Sequence, residues 1–295
     1  MPRTTRPGAD RRTRASDHAS RAPRDRQPEQ RHPNPPVRAQ RDEPGRHELG
    51  QNFLIDRRVV SAVVERVAAT PGPILEIGPG DGALTLPLAR LGRPILALEA
   101  DPRRAARLDR RTPPAVRIEH ADALAHRFEA HPHVVVSNLP FHLTTAMLRH
   151  LLDGPGWTDA VLIAQWEVAR RRAGVGGATQ LTAQAAPWFE FALLQRIPRH
   201  AFRPAPQVDG GLFTMHRRAA PLVPSSERRA YAAMVARVFR SRGAGLARIL
   251  PAAGVLPPAE AKRWLRERSH AAGGLPRDLA PEDWADLWAA RGRLR

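Results

Sequence analysis

The sequence predicts a doubly wound, Rossmann-like α/β fold, in which helices cover both faces of a parallel sheet, followed by a small helical domain. Short, mostly apolar segments such as ILEIG at 74–78 alternate with segments of about ten residues whose apolar positions recur at helical spacing. Continuous apolar strands are typical of a parallel sheet that is buried on both faces. Proline and glycine separate the segments, as in Pro-Gly-Pro at 71–73, and the alternation favours repeated βαβ units.

The predicted elements follow one another without long gaps. VVSAVVERVAA predicts a helix at 59–69, which the Pro-Gly-Pro break ends before the first strand. Further strands are predicted at 94–100, at 115–123, at 133–141 with a terminal turn, and at 159–169, where the strand runs into a helix. Further helices are predicted at 83–91, 101–110 and 143–152.

The pattern changes after Pro198. FRPAPQV at 202–208 is an extended segment fixed by its prolines, and GLFTMHR at 211–217 predicts one more strand. From Ser226 onward, four segments have helical spacing. We therefore predict a main domain at 47–217 and a helical domain at 218–295.

The chain is strongly basic, with 47 Lys and Arg against 29 Asp and Glu and a net charge of +18 at pH 7. Residues 1–46 supply +6 of this charge and contain eight prolines, so they predict a disordered, Arg/Pro-rich arm. The remaining +12 lies on residues 47–295. A polyanion such as nucleic acid is the partner that this charge favours. A GC-rich coding bias would also raise the arginine content.

Several classes of protein are excluded by composition. The absence of cysteine excludes a disulfide framework and a thiol nucleophile. The chain has no run of about 18 apolar residues and no apolar leader segment. The histidines lack the spacing of metal ligands. The sequence therefore predicts a cytoplasmic protein without a metal or a membrane partner.

Glycine and acidic residues follow three consecutive predicted strands. The first strand leads into Gly78-Pro79-Gly80-Asp81-Gly82, whose G-x-G-x-G spacing differs from the G-x-G-x-x-G of pyrophosphate-binding loops. Glu99 ends the second strand, where a carboxylate can accept hydrogen bonds from ribose hydroxyls or complement the dipole at a helix N-terminus. Asp122 ends the third strand, where its carboxylate can accept a hydrogen bond from an adenine amine. This combination predicts a nucleoside cofactor without pyrophosphate, which suggests S-adenosylmethionine.

The fourth strand ends in the turn Asn138-Leu139-Pro140-Phe141. Pro140 keeps Leu139 out of the helical region, which can turn the Leu139 carbonyl into the cleft beside the Asn138 oxygen. Two such acceptors can hold an aromatic amine while Phe141 stacks on its ring. The alternative is a strand-ending turn with Asn138 as a helix cap and Phe141 in the core. With the rim residues above, the turn predicts methyl transfer to an adenine N6.

A larger set of motifs resembles the ribosomal RNA adenine N6-methyltransferases, which comprise the erythromycin-resistance (Erm) methylases and the small-subunit adenine dimethylases of the KsgA type. The motifs are GQNFL at 50–54, EIGPG at 76–80, Glu99, Asp122, NLPF at 138–141 and FRPAPQV at 202–208. Phe141-His142 and WEVARRR at 166–172 are more similar to actinobacterial Erm proteins than to the small-subunit enzymes.

The resemblance implies methylation of one adenine in 23S ribosomal RNA, with resistance to macrolides, lincosamides and streptogramin B. It also implies a monomer that acts before or during large-subunit assembly, with 47–217 as the catalytic domain and 218–295 as an RNA-binding domain. The residues implied to bind S-adenosylmethionine are Asn52, Leu54, Gly78, Glu99, Asp122 and Asn138. The residues implied to hold the target base are Asn138, Leu139, Pro140 and Phe141.

Two alternatives remain open from the sequence. One is a small-subunit (16S) rRNA adenine dimethylase, which Phe141, His142 and the segment 166–172 disfavour. The other is a non-catalytic RNA-binding or assembly factor on a methylase fold. The intact turn at 138–141 disfavours the second alternative, because a binding protein does not need convergent acceptors for an amine.

Overall fold

A seven-stranded sheet forms the centre of the protein in a computed structural model that describes residues 52–293. The strands are β1 (Phe53–Leu54), β2 (Ile74–Ile77), β3 (Ile95–Glu99), β4 (Val116–His120), β5 (His133–Asn138), β6 (Trp157–Gln165), β7 (Phe189–Ile197), β8 (Phe202–Arg203) and β9 (Gly210–Arg217). The order in the large sheet is β4-β3-β2-β5-β6-β9-β7, and β1 pairs with β8 in a separate two-stranded sheet.

The fold prediction is confirmed, although the sheet is not parallel throughout. The five strands from β4 to β6 are parallel to their neighbours. β9 is antiparallel to both β6 and β7. The chain passes from β7 to β9 without a crossover α-helix, as an antiparallel pair allows. The sequence pattern did not predict β7, and of the extended segment at 202–208 only β8 is a strand.

Helices cover both faces of the sheet. They are α1 (Arg57–Ala68), α2 (Thr85–Ala89), α3 (Pro102–Asp109), α4 (Thr144–Asp153), α5 (Trp166–Arg172), α6 (Gln180–Ala185), α7 (Arg228–Arg240), α8 (Leu246–Ala252), α9 (Pro258–Glu267) and α10 (Pro281–Gly292). The four predicted C-terminal helices are present as α7 to α10, whereas α6 was not predicted. Asp56 and Asp101 cap α1 and α3, since each side chain accepts hydrogen bonds from two amides of the first turn.

The hydrophobic core has two layers that follow the period-2 geometry of the strands. In β5, Val134 and Val136 pack on the face that α1 covers, and Val135 packs on the opposite face with α4. Tyr231 of α7 and Trp284 of α10 join this second layer. The C-terminal helices therefore share a hydrophobic core with the sheet, and all described residues belong to one unit, Gly45–Arg295.

Some predictions concern residues that the structure does not describe. The predicted arm at 1–46 lies outside the described residues, as do Gly50 and Gln51 of the GQNFL motif. Within residues 52–293, no helix combines the length and the apolar character that a membrane crossing needs. In the same part of the chain, no three His, Asp or Glu side chains are grouped as metal ligands.

Candidate active site

A cleft lies at the carboxyl edge of the sheet, where β2 and β5 end side by side. Parallel α/β sheets bind ligands at this edge, near the point where the strand order reverses. The walls come from the segment around β1, the loop after β2 and the turn after β5. The lining residues are Asn52, Phe53, Leu54, Glu76, Gly78, Pro79, Gly80, Ala83, Leu84, Asn138, Leu139, Pro140 and Phe141. Seven of the predicted site residues are therefore brought together, namely Asn52, Leu54, Gly78 and the turn at 138–141.

The loop after β2, residues 78–82, is the glycine-rich loop, and its first three residues line the cleft. Gly78 and Gly80 have φ angles of +68° and +56°, a region that residues with a Cβ rarely adopt. A Cβ on Gly78 would meet nothing within 4 Å, so open space lies above this residue. A Cβ on Gly80 would lie 2.9 Å from Cε1 of Phe53, so the Phe53 ring rests directly on the loop.

Glu99 and Asp122 lie at the same edge but are not part of the cleft wall. Glu99 is buried at the end of β3, and its two oxygens accept hydrogen bonds from the amides of Gly80 (2.9 Å) and Asp101 (3.0 Å). In the described structure, Glu99 thus fixes the glycine-rich loop. Asp122 is exposed after β4, and its carboxylate accepts a hydrogen bond from the Leu124 amide at 2.9 Å.

Glu76 lines the cleft, and the sequence analysis assigned it no role. Its side chain is 1% exposed, and its Oε2 atom has no hydrogen bond of normal geometry to a described residue. Burial raises the pKa of Glu76 to about 7. The Thr85 hydroxyl and amide lie close enough to lower this pKa in part, whereas the nearby charge of Glu99 raises it further. The signal in the sequence was a single acidic residue inside the apolar strand ILEI.

The turn after β5 is held by hydrogen bonds on both sides. The Asn138 side-chain Nδ2 donates to the Asn52 carbonyl at 2.8 Å, which leaves Oδ1 as the atom that can accept from a ligand. The Leu139 amide donates to the Ile163 carbonyl of β6 at 2.9 Å, whereas no described residue donates to the Leu139 carbonyl. Two acceptors, Asn138 Oδ1 and the Leu139 carbonyl, are thus available at this turn.

Phe141 connects the turn to the small sheet. Its half-buried ring packs edge-on against Phe202 of β8, with the ring centres 6.3 Å apart. β8 pairs with β1, whose residues Phe53 and Leu54 line the cleft. The two-stranded sheet therefore holds the segment 52–54 over the glycine-rich loop.

Arginines follow β6, the strand that neighbours the turn. Arg170 and Arg171 form ion pairs with Glu167 at 2.9 and 3.8 Å on the surface of α5. The half-buried Arg172 donates to the Thr179 hydroxyl at 2.9 Å. Burial, reinforced by the charges of Arg149 and Arg171, lowers the pKa of Arg172. These contacts orient the cations near the carboxyl edge of the sheet.

Three comparisons with known proteins place the chain among ribosomal RNA methyltransferases. Residues 43–257 match the family model described as ribosomal RNA adenine dimethylase. An rRNA adenine N-6-methyltransferase of Corynebacterium diphtheriae is 54% identical over 207 residues, which are 70% of this chain and 82% of that protein. The mycinamicin-resistance protein MyrB of Micromonospora griseorubida is 47% identical over 245 residues, 83% of this chain and 78% of that protein. The crystal structure of the 23S rRNA methyltransferase ErmE superposes with a TM-score of 0.75 and 30% identity, covering 82% of this chain and all of that one.

Proposed function

The chain belongs to the ribosomal RNA adenine dimethylase family, and on this basis we propose that it transfers a methyl group from S-adenosylmethionine to the N6 amine of one adenine in 23S ribosomal RNA. The product would confer resistance to macrolide, lincosamide and streptogramin B antibiotics. The observation that carries the proposal is the turn at 138–141, whose Asn138 is pinned through Nδ2 at the cleft wall.

The cleft fits S-adenosylmethionine in two respects. The open space above Gly78 is where a ligand can approach the backbone, as the absence of contacts to a Cβ there indicates. The buried Oε2 atom of Glu76, which has no hydrogen-bond partner among the described residues, offers an acceptor to a ligand that carries an ammonium group. When bound, this cofactor supplies an electrophilic methyl group. The residues that we propose to hold it are Asn52, Leu54, Gly78, Glu99, Asp122 and Asn138. Glu99 also fixes the glycine-rich loop through the Gly80 amide.

The turn supplies the chemistry at the acceptor. The N6 lone pair of adenine is delocalised into the ring, so the amine is a weak nucleophile until hydrogen bonds from its two hydrogens help it to pyramidalise. Asn138 Oδ1 and the Leu139 carbonyl are the acceptors, and Phe141 stacks on the base. Placement and orientation then govern the in-line displacement. The protonated amine that forms is a strong acid and releases its proton to water, so no general base is required.

The proposal of 23S over 16S RNA rests on similarity and on motif details. MyrB is named as a mycinamicin-resistance protein and ErmE as a 23S rRNA methyltransferase, and both cover most of this chain. Phe141-His142 and the segment 166–172 point the same way. The target base must leave its stack to reach the cleft, at a cost of a few kcal/mol.

The basic regions supply affinity for RNA in this proposal. The helical region 218–295 and the arm 1–46 would contact phosphates, which fix orientation without reading sequence. We propose that the protein acts as a monomer, before or during assembly of the large subunit and in the cytoplasm.

The test is incubation of the purified protein with methyl-labelled S-adenosylmethionine and separated 23S and 16S RNAs. We expect label on 23S RNA alone, and none with the Asn138→Ala variant. Label on 16S RNA alone would identify a small-subunit dimethylase. RNA binding without label on either RNA would support an assembly factor.

A further inference from the structure

Arg104 of helix α3 contacts Phe53, a residue that lines the cleft. The guanidinium carbon of Arg104 lies 4.4 Å from the centre of the Phe53 ring, within the range of a cation–π contact. The same Phe53 ring lies directly over Gly80, where it would be 2.9 Å from a Cβ at that position. Phe53 is thus held between the glycine-rich loop and α3.

The surroundings of Arg104 fix its position. Its Nε atom lies 3.4 Å from Asp101 of the α3 cap, and its Nη1 atom lies 3.7 Å from Asp81 of the glycine-rich loop. These ion pairs are long, and the buried Nη1 has no hydrogen bond to a described residue. The side chain is only 23% exposed. The guanidinium therefore bridges the loop and the α3 cap while it lies over the face of the Phe53 ring.

We infer that Arg104 is a positioning residue for S-adenosylmethionine, which acts by pressing Phe53 onto Gly80 so that the segment 52–54 closes the cleft. This inference rests on the function proposed above. Asn52 and Leu54, on either side of Phe53, line the same cleft, and the Asn52 carbonyl holds the catalytic Asn138. A ring that lifts from Gly80 would loosen the wall that the segment 52–54 forms, whereas the turn at 138–141 is also held by the bond from the Leu139 amide to the Ile163 carbonyl. Arg104 does not line the cleft and touches no reacting atom, so it affects cofactor retention and not the displacement itself.

Arg107 provides a matched control on the same helix. It pairs with Asp81 at 2.8 Å, closer than Arg104 does, and makes no ring contact in the described structure. Arg107→Met therefore removes an ion pair between α3 and the loop while leaving Phe53 in place. Arg104→Met removes the cation above the ring and keeps an apolar stem of similar length.

The experiment measures S-adenosylhomocysteine affinity by titration calorimetry, together with KM and kcat for methyl transfer. For Arg104→Met we expect Kd and KM for the cofactor to rise about five- to tenfold, with kcat at saturation changed less than twofold. Arg104→Lys, which keeps a cation over the ring, should stay within about threefold of the wild type. Arg107→Met should change neither constant by more than about twofold.

A double-mutant cycle with Phe53→Leu tests whether Arg104 acts through the ring. In the Phe53→Leu background, Arg104→Met should change Kd less than twofold. An equal effect in both backgrounds, an unchanged Kd for Arg104→Met, or the same effect for Arg107→Met would each overturn the inference. If Arg104→Met does not fold, Arg104→Gln serves in the same cycle. A wild-type protein that fails to bind S-adenosylhomocysteine would instead contradict the proposed function.

Discussion

Because the carboxyl group of Glu76 is buried, we expect the folding free energy to depend on pH in a way that can be tested without substrate. Burial raises its pKa from the ordinary 4.5 to about 7. A carboxyl group whose pKa is raised by folding stabilises the folded state when protonated and loses that contribution as the pH rises from about 4.5 through 7. The shift corresponds to about 3 kcal/mol of folding free energy, lost by pH 8.

Glu76→Gln removes this ionisation while keeping the size of the side chain. Relative to the wild type, the variant should therefore gain about 2–3 kcal/mol of stability between pH 5 and pH 8. For a domain of this size the gain corresponds to roughly 5–10 °C in the unfolding midpoint. Any cost of burying the amide is the same at both pH values, so it cancels in the comparison.

The assay is thermal unfolding of the cofactor-free protein at pH 5, 6, 7 and 8. Glu65→Gln, a substitution of an exposed residue on α1, serves as the matched control. Other groups titrate over this range in all three proteins and cancel in the differences. A difference between Glu76→Gln and the wild type that does not change with pH would refute the reasoning.

Three further predictions concern the cleft and the N-terminal segment. Asn138→Ala should reduce methyl transfer at least about a hundredfold while S-adenosylhomocysteine binding stays measurable by calorimetry, and undiminished transfer would contradict the role of Asn138. Gly80→Ala should weaken S-adenosylhomocysteine binding about tenfold, because the new Cβ strains a backbone at φ +56° and meets Phe53 at 2.9 Å. Unchanged binding would show that the packing of Phe53 on Gly80 does not contribute to cofactor binding. Deletion of residues 1–46 should weaken RNA binding and flatten its salt dependence in filter-binding assays without abolishing activity, and an unchanged salt slope would show that the arm contacts no phosphates.

The elements that the sequence predicted are those with a strong local signal. β2 and β5 are short segments with mostly apolar residues, and α1 has clear helical spacing, so the apolar pattern and the breaker residues were sufficient. β7 was not predicted because its buried positions do not alternate regularly. Its pairing with β9 also shifts register between Leu193 and Gln195. β1 and β8 have two residues each, too few for any period to be seen.

Prediction of the site was limited by contacts between distant residues. Strand ends correctly placed Gly78 and Asn138 at one edge, because carboxyl ends of parallel strands meet there. The same rule does not predict that the Glu99 oxygens accept hydrogen bonds from the amides of Gly80 and Asp101. The burial of Glu76 and the contact between Arg104 and Phe53 likewise depend on packing that no local pattern encodes.

The most direct test of the central claim is to identify the atom that receives the methyl group. Purified protein is incubated with 23S RNA and labelled S-adenosylmethionine, and the modified nucleotide is mapped by nuclease digestion and mass spectrometry. We expect N6-methylated adenosine at a single position in the peptidyl-transferase region, absent with Asn138→Ala. Methylation of a ribose, of another base, or of many scattered adenines would contradict it.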